Sequence, residues 1–311
     1  MNKIGDIGTK YLSDVLQTNQ TITELNLGQN KISDIGIQYL ADALKNNKVL
    51  TIVELYYNQI GNSGAQYLYD AFKENKTLIK LNLKGNPGSY CTIVTAASEI
   101  RNDKAITKMD LCGKSIDDIG TKFLADALVN NETITELDLS VNKIGDIGTK
   151  HLSDALQTNQ TITELNLGQN KISDIGIQYL VDMLRNNTTI TSIDLSGNQI
   201  GDIGAKYLAD ALENNKTLII LSLKSHQIAD TGAQQLAVAL EKNKYIKSNQ
   251  TSNLFRLQMA LSLNSIGFSC IIFLVLLQVA NGLLCYNCTD CSSVSSSTAT
   301  TNSTDSGAAC Y

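Results

Sequence analysis

Four cysteines near the C-terminus, Cys285, Cys288, Cys291 and Cys310, are the densest reactive chemistry in the chain. A Cys-x-x-Cys-x-x-Cys run suits disulfides outside the cell or a metal site. A structural zinc needs four ligands, and no fourth one is suitably spaced, so disulfides are the favoured use and no metal is expected. The same segment carries Asn287-Cys-Thr and Asn302-Ser-Thr, which makes Asn287 and Asn302 glycosylation candidates if this tail lies outside the cell. Elsewhere no convergent catalytic set appears. His151 occupies a helix position where a near-identical unit has Tyr11, and reads as a surface substitution. His226 reads as a structural hydrogen-bonding residue. Cys112 has no histidine at a matching position to activate it, and Cys91 and Cys270 read as apolar packing. A phosphate-binding GxxxxGK[ST] loop is missing from the sequence. The expectation is a non-enzymatic protein with no catalytic residue, no cofactor and no small-molecule substrate.

What remains is surface for a partner, and its placement follows from a repeat. "TITELNLGQNKISDIGIQYL" stands at 21–40 and again at 161–180, a separation that is five times 28. A 28-residue period carries Leu27 to Leu55, Leu83, Leu111, Leu139, Leu167, Leu195 and Leu223. Within each unit the apolar period changes from two to about 3.6, which is a strand followed by a helix. Ile22, Leu25 and Leu27 should point inward from the strand, and Ile35, Leu40, Ala43 and Leu44 should form the buried stripe of the helix. The outward strand columns are then the candidate partner-binding surface: Glu24, Asn26, Glu54, Lys80, Asn82, Lys108, Asp110, Glu136, Asp138, Glu164, Asn166 and Asp194, with Tyr56 and Tyr57 as exposed aromatic anchors. Their acidic and amide character suits a protein partner with a basic surface.

Four further columns are expected to hold the unit together. The asparagine after each "LxLxx", as at Asn30, Asn58, Asn142 and Asn170, reads as a buried amide in a continuous ladder, since an unpaired one would cost roughly 1–3 kcal/mol. Asp6, Asp34, Asp118 and their equivalents read as N-caps of their own helices. The glycine two residues on, as at Gly36, reads as close approach of helix to strand. Asn19, Asn47, Asn75 and equivalents read as left-handed helix ends; several begin Asn-x-Thr triplets, expected to carry no sugar. One unit departs from the pattern, with Pro87, Tyr90, Thr92 and Glu99 in place of the usual residues. There the helix should be shifted and Glu99 should face out, either as a drifted repeat or as a kink shaping a binding edge.

The "LxLxxNxI" strand followed by a helix resembles the leucine-rich repeats of the ribonuclease-inhibitor type, which include ribonuclease inhibitor, the Ran GTPase-activating protein and the sensor arrays of NOD-like receptors. The resemblance implies an α/β curved solenoid, a horseshoe with parallel strands on the concave face and helices outside. It also implies a protein-binding scaffold, with an enzyme regulator of the GTPase-activating or nuclease-inhibiting kind, or a detached NOD-like sensor array, as alternatives.

The net charge of −5, without a basic stripe, excludes nucleic acid as the expected partner. The chain divides into a repeat array at 1–247, a linker at 248–258, a hydrophobic helix at 259–284 and a Cys/Ser/Thr-rich tail at 285–311. Residues 257–289 carry no charged side chain, enough to cross a bilayer. Lys242, Lys244, Lys247 and Arg256 precede that run and no Lys or Arg follows it, so the array should be cytosolic on a single-pass membrane protein. "LLCYNC" resembles the start of a three-finger domain of the urokinase-receptor type, for which 259–282 would be a signal peptide. On that reading the C-terminal segment is a fusion and the array is cytoplasmic. The opening "MNKIGDIGTKYL" enters the array in mid-unit, as a truncated product would.

Overall fold

The computed structural model describes residues 2–243 and the backbone of 256–258. Helix and strand alternate throughout: α1 (Asp6–Leu16), β1 (Glu24–Asn26), α2 (Asp34–Asn46), β2 (Ile52–Glu54), α3 (Asn62–Glu74), β3 (Lys80–Asn82), α4 (Ser89–Asn102), β4 (Lys108–Asp110) and α5 (Asp118–Leu128). Then follow β5 (Glu136–Asp138), α6 (Asp146–Leu156), β6 (Glu164–Asn166), α7 (Asp174–Asn186), β7 (Ser192–Asp194), α8 (Asp202–Leu212), β8 (Ile220–Ser222), α9 (Asp230–Lys242) and β9 (Arg256–Gln258). Paired strands run parallel, and up to β8 they keep the 28-residue register, so that Glu24 lies beside Ile52 and Glu136 beside Glu164. β9, in the stretch read as a linker, extends the sheet beside β8. Among the described residues no helix is long and apolar enough to cross a membrane. The helix expected at 259–284 and the tail with Asn287, Asn302, Cys285, Cys288, Cys291 and Cys310 lie outside the described residues.

The core is one continuous layer between strands and helices. Val53, Leu81, Leu137 and Ile193 from the strands meet Leu40, Leu68, Leu124, Leu152, Leu180 and Leu208 from the helices, all at most 2% exposed. Ile35 does not join them. It is 61% exposed, because it stands in the first turn of α2 with its side chain toward solvent, while the fully buried Ile37 takes the inward place.

The asparagine ladder forms as expected. Asn58 Nδ2 donates to Leu27 O of the unit before and to Leu55 O of its own, at 2.9 and 3.0 Å, while its Oδ1 accepts from Ile32 N at 3.1 Å. Asn142, Asn170 and Asn198 repeat the arrangement. His226, in the same column, reaches Asn198 O through Nδ1 at 3.2 Å, and burial pushes its pKa down.

The aspartate column works differently from the expectation. Asp6 is the first residue of α1, and its carboxylate serves the next unit: Oδ1 accepts from Ser33 N at 2.8 Å and Gly36 N at 3.0 Å, and Oδ2 from Ser33 Oγ at 2.7 Å. Burial opposes ionisation of Asp6, but these hydrogen bonds outweigh it and hold the pKa below the ordinary carboxylate value. Asp118, Asp146 and Asp202 make the same reach to the following helix. This explains the glycine column. A Cβ on Gly36, Gly64, Gly148, Gly176, Gly204 or Gly232 would sit 2.5–2.6 Å from the carboxylate oxygen of the preceding unit and 2.6–3.0 Å from Cγ2 of the isoleucine four residues before it, so the close neighbours are these side chains and not a strand.

The helix-end asparagines are not left-handed: Asn47 has φ −71° and Asn187 φ −73°. Their side chains form a second ladder. Asn187 Nδ2 donates to Leu156 O at 2.8 Å and Asn159 O at 3.1 Å, so it satisfies open carbonyls at the end of the preceding helix. Its Oδ1 meanwhile accepts from Thr189 N and Ile190 N. Such buried amides (Asn47, Asn75, Asn131, Asn159 and Asn187 are at most 5% exposed) are closed to a sugar.

At α4 the sheet breaks. β1–β3 form one sheet and β4–β9 another. α4 sits against the edge of β3 and supplies what a fourth strand would. Leu81 N donates to Ser98 Oγ and Leu83 N to Thr95 Oγ1, both at 3.0 Å, and Ile79 O accepts from Asn102 Nδ2 at 2.8 Å. On the outer side α3 and α5 meet across it. Tyr69 stacks on Phe123 with centroids 4.0 Å apart, and Tyr69 Oη and Lys73 Nζ both reach Asp126 Oδ2 at 2.6 Å. The shift expected from the sequence is present, but Glu99 is half-buried rather than turned out, and burial raises its pKa against the pull of Lys80. Arg101 replaces the ladder asparagine here, donating to Phe72 O and Asn75 O at 2.5 and 2.6 Å.

Two outcomes test this account. Asn187→Ala should cost about 1–3 kcal/mol in denaturant unfolding. Asn19→Ala should cost markedly less, because the Asn19 side chain bonds only within its own turn. Gly176→Ala, which adds helix propensity, should nevertheless destabilise. That loss should shrink in an Asp146→Ala background, where the oxygen 2.6 Å from the new methyl is gone.

Candidate partner-binding surface

The strand face brings all fourteen candidate residues into two adjoining columns or the turn beside them. Seven are carboxylates, Glu24, Glu54, Asp110, Glu136, Asp138, Glu164 and Asp194, against the lysines Lys80 and Lys108. Each lysine is engaged by a neighbouring strand: Lys80 Nζ lies 2.8 Å from Glu54 and Lys108 Nζ 2.6 Å from Glu136. Those hydrogen bonds raise both lysine pKa values. Outside the two pairs the face is acidic. From β4 to β7 it forms an open trough of about 400 Å³ lined by Asp110, Glu136, Asp138, Glu164, Asn166 and Asp194 among others.

The second column has a structural duty that sequence reading missed. Asn26, Asn82, Asp110, Asp138, Asn166 and Asp194 each accept, through Oδ1, from the backbone N–H two residues on, at 2.7–3.0 Å. These Asx turns explain why the column is limited to Asp and Asn almost throughout. The signal was available as a short polar residue at fixed distance from each turn. The second oxygen of Asp138 accepts from Asn166 Nδ2 at 3.1 Å, and Glu54, which with Ser222 departs from the turn pattern, accepts from Asn82 Nδ2 at 2.6 Å.

Turn geometry also sets the two tyrosines. The residue three positions after the second column is left-handed in every unit, with or without the Asx turn: Gln29, Tyr57, Val141, Gln169 and Ser225 have φ between 52° and 58°, and Gly85, Gly113 and Gly197 hold the same place. Tyr57 is therefore presented 59% exposed at the rim of the face, its ring on Gly85. Tyr56 is half-buried over Gly28 and meets Tyr57 edge-on at 6.1 Å. Only Tyr57 fits the expectation of an open anchor.

Among the described residues no group of His, Cys, Asp and Glu could hold a metal ion. Cys112 is exposed and Cys91 is buried, where burial pushes its thiol up to about 12. Neither is placed with a histidine.

Six stretches of the chain, 18–41, 46–68, 130–153, 158–181, 186–209 and 214–237, match the leucine-rich repeat model. The unmatched stretch between 68 and 130 contains the sheet break. No curated protein matches the chain. Among solved structures it is similar to the leiomodin-1 actin-binding site 2, with 21% identity over 53% of this chain and 95% of that one and a TM-score of 0.45. It is also similar to the tropomodulin C-terminal domain of Caenorhabditis elegans, with 17% identity, 49% and 92% coverage and a TM-score of 0.42. A third is internalin C2 of Listeria monocytogenes, with 22% identity, 80% and 84% coverage and a TM-score of 0.36. These likenesses are too distant to carry a function across.

The twin units give an internal control on the tyrosine site. A methyl added at Gly28 would lie 2.4 Å from the Tyr56 ring, whereas the sequence-identical Gly168 has its nearest atom at 3.2 Å. Gly28→Ala should lower the thermal midpoint and quench or shift tyrosine fluorescence, while Gly168→Ala should be close to neutral in both.

Proposed function

Because the chain is a leucine-rich repeat protein, we propose that it is a non-enzymatic scaffold that grips a protein partner on its strand face, and that the partner presents a basic ridge. The observation that carries this is the line of Asp110, Asp138, Glu164 and Asp194 along one open trough, beside the paired Lys108 and Glu136. A rigid parallel sheet holds these groups without the entropy cost of ordering a loop. Their summed field would speed encounter with a basic surface and weaken with added salt. Tyr57, exposed at the other end of the face, supplies an aromatic contact of the kind that dominates interface energies. If 259–284 acts as an anchor, the array faces the cytosol; that part stands on sequence alone.

The test keeps the turns intact. Asp194→Asn retains the Oδ1 acceptor for Ser196 N and removes charge; Glu164→Lys reverses the charge of an exposed side chain. The double variant should unfold at the wild-type midpoint yet bind the partner captured by affinity purification roughly three- to thirtyfold more weakly at low salt, each charge being worth up to about 1 kcal/mol. Capture unaffected by the double variant and by salt would refute the basic-ridge reading, and failure of the wild-type chain to hold any protein would refute the scaffold.

A further inference from the structure

β4 is an edge strand inside the array. Elsewhere the first N–H groups of a strand donate to a carbonyl just before the preceding strand. Thr51 N and Ile52 N donate to Thr23 O at 2.8 and 3.2 Å, and Thr135 N and Glu136 N to Thr107 O at 2.8 and 3.2 Å. For Thr107 and Lys108 the corresponding acceptor is Ile79 O, which Asn102 of α4 occupies. The carbonyl of Asp110 would likewise receive Leu83 N, which Thr95 holds. α4 thus closes the edge of β3 and leaves the facing edge of β4 with no strand beside it among the described residues. Exposure agrees. Thr107, Lys108, Asp110 and Cys112 are exposed, like Thr23, Glu24 and Asn26 of β1, whereas Thr135, Glu136 and Asp138 are half-buried.

We propose that this edge docks an extended segment of a partner protein, which adds parallel to β4 as the strand that β3 does not supply. The array's register defines the segment. One residue falls beside Lys108, the next points inward beside Met109, and the third falls beside Asp110. Cross-strand neighbours in the array show what suits each place. The first-column lysine at this strand takes the glutamate directly beside it, as Lys108 takes Glu136, while Lys80 reaches a glutamate diagonally, at Glu54. Carboxylates in the second column take an amide, as Asp138 takes Asn166 and Glu54 takes Asn82. The fitting core is therefore acid, aliphatic, amide. A second copy is a poorer match: its β1 edge would have to run antiparallel here, setting Glu24 against Asp110, and its β9 edge, running parallel, would set Arg256 beside Lys108. The edge shares Lys108 and Asp110 with the trough, but it takes its partner through the backbone groups of β4 rather than through the acidic face, so a failure of the basic-ridge reading leaves it standing.

The chain's own strand Glu24-Leu25-Asn26 has the fitting pattern, so the peptide TITELNLC is a usable probe. Parallel register sets its terminal cysteine beside Cys112, whereas CTITELNL would reach that thiol only in the antiparallel direction. Under mild oxidation the full chain should form a mixed disulfide at Cys112 with TITELNLC and much less with CTITELNL, and Cys112→Ser should abolish it. Lys108→Glu, folded by its unchanged thermal midpoint, should lower the yield at least about threefold, and TITKLNLC should restore it. Equal reaction of both cysteine placements, no effect of Lys108→Glu, or no adduct at all would overturn the proposal. So would slow hydrogen exchange at the Lys108 and Asp110 amides in the full chain alone, which would mean that a second copy or the chain itself already covers the edge.

Discussion

The structure depends on one kind of contact, a side-chain amide or carboxylate of one unit bonded to the backbone of its neighbour. Each 28-residue unit ends a strand and a helix with backbone groups that its own fold leaves open. Asn58 closes the strand side, Asn187 the end of the helix before it, and Asp6 the start of the helix after it. Apolar burial makes stacking favourable, but it is non-directional. The polar ladders impose the register, because a slip would strand buried donors and acceptors at roughly 1–3 kcal/mol each.

At α4, where the sheet breaks, those contacts are lost together. Tyr90 replaces the aspartate, Thr92 the glycine, Asp103 the helix-end asparagine and Lys114 the strand-side asparagine. Without an Asp118-type carboxylate reaching forward from α4, α5 is capped by its own Asp117, which accepts from Gly120 N at 2.9 Å, and Ile93 fills the space over Gly120. Tyr90 Oη donates to the other oxygen of Asp117 at 2.8 Å. Substitutes thus keep the helix layer continuous while the strand layer parts. Pro87 precedes the helix and does not itself cause the break; the hydroxyls of Thr95 and Ser98 and the amide of Asn102, one helical face of α4, do so by occupying the edge of β3.

The strand face serves two purposes with one set of atoms. In the second column one oxygen of each Asp or Asn tightens the turn, and the remaining polar atom faces solvent or the next strand. Turn chemistry asks only for Asp or Asn there, and the acidity comes from Asp rather than Asn at 110, 138 and 194 together with Glu at 136 and 164. The first column is free of that constraint, which is why it varies from Glu to Ile, Lys and Ser.

Sequence alone determined the repeat, the alternation of strand and helix, the inward leucines and the strand-side asparagine ladder, because each is a local periodicity or a column with a single buried role. It also determined which residues share the strand face. What only the tertiary structure decided lies between units. Sequence reading gives Asp6 and Asn187 to their own helices because local capping is the nearest use for such residues, and it places Ile35 inward by carrying the apolar stripe into the helix's first turn, where Ile37 takes the inward place. The partners that corrected these assignments stand 27 to 31 residues away, beyond any local pattern. The edge left open at β4 arises the same way: it depends on which hydroxyl reaches which strand, and three polar residues on an apolar helix carry no sign of that until the layers are assembled.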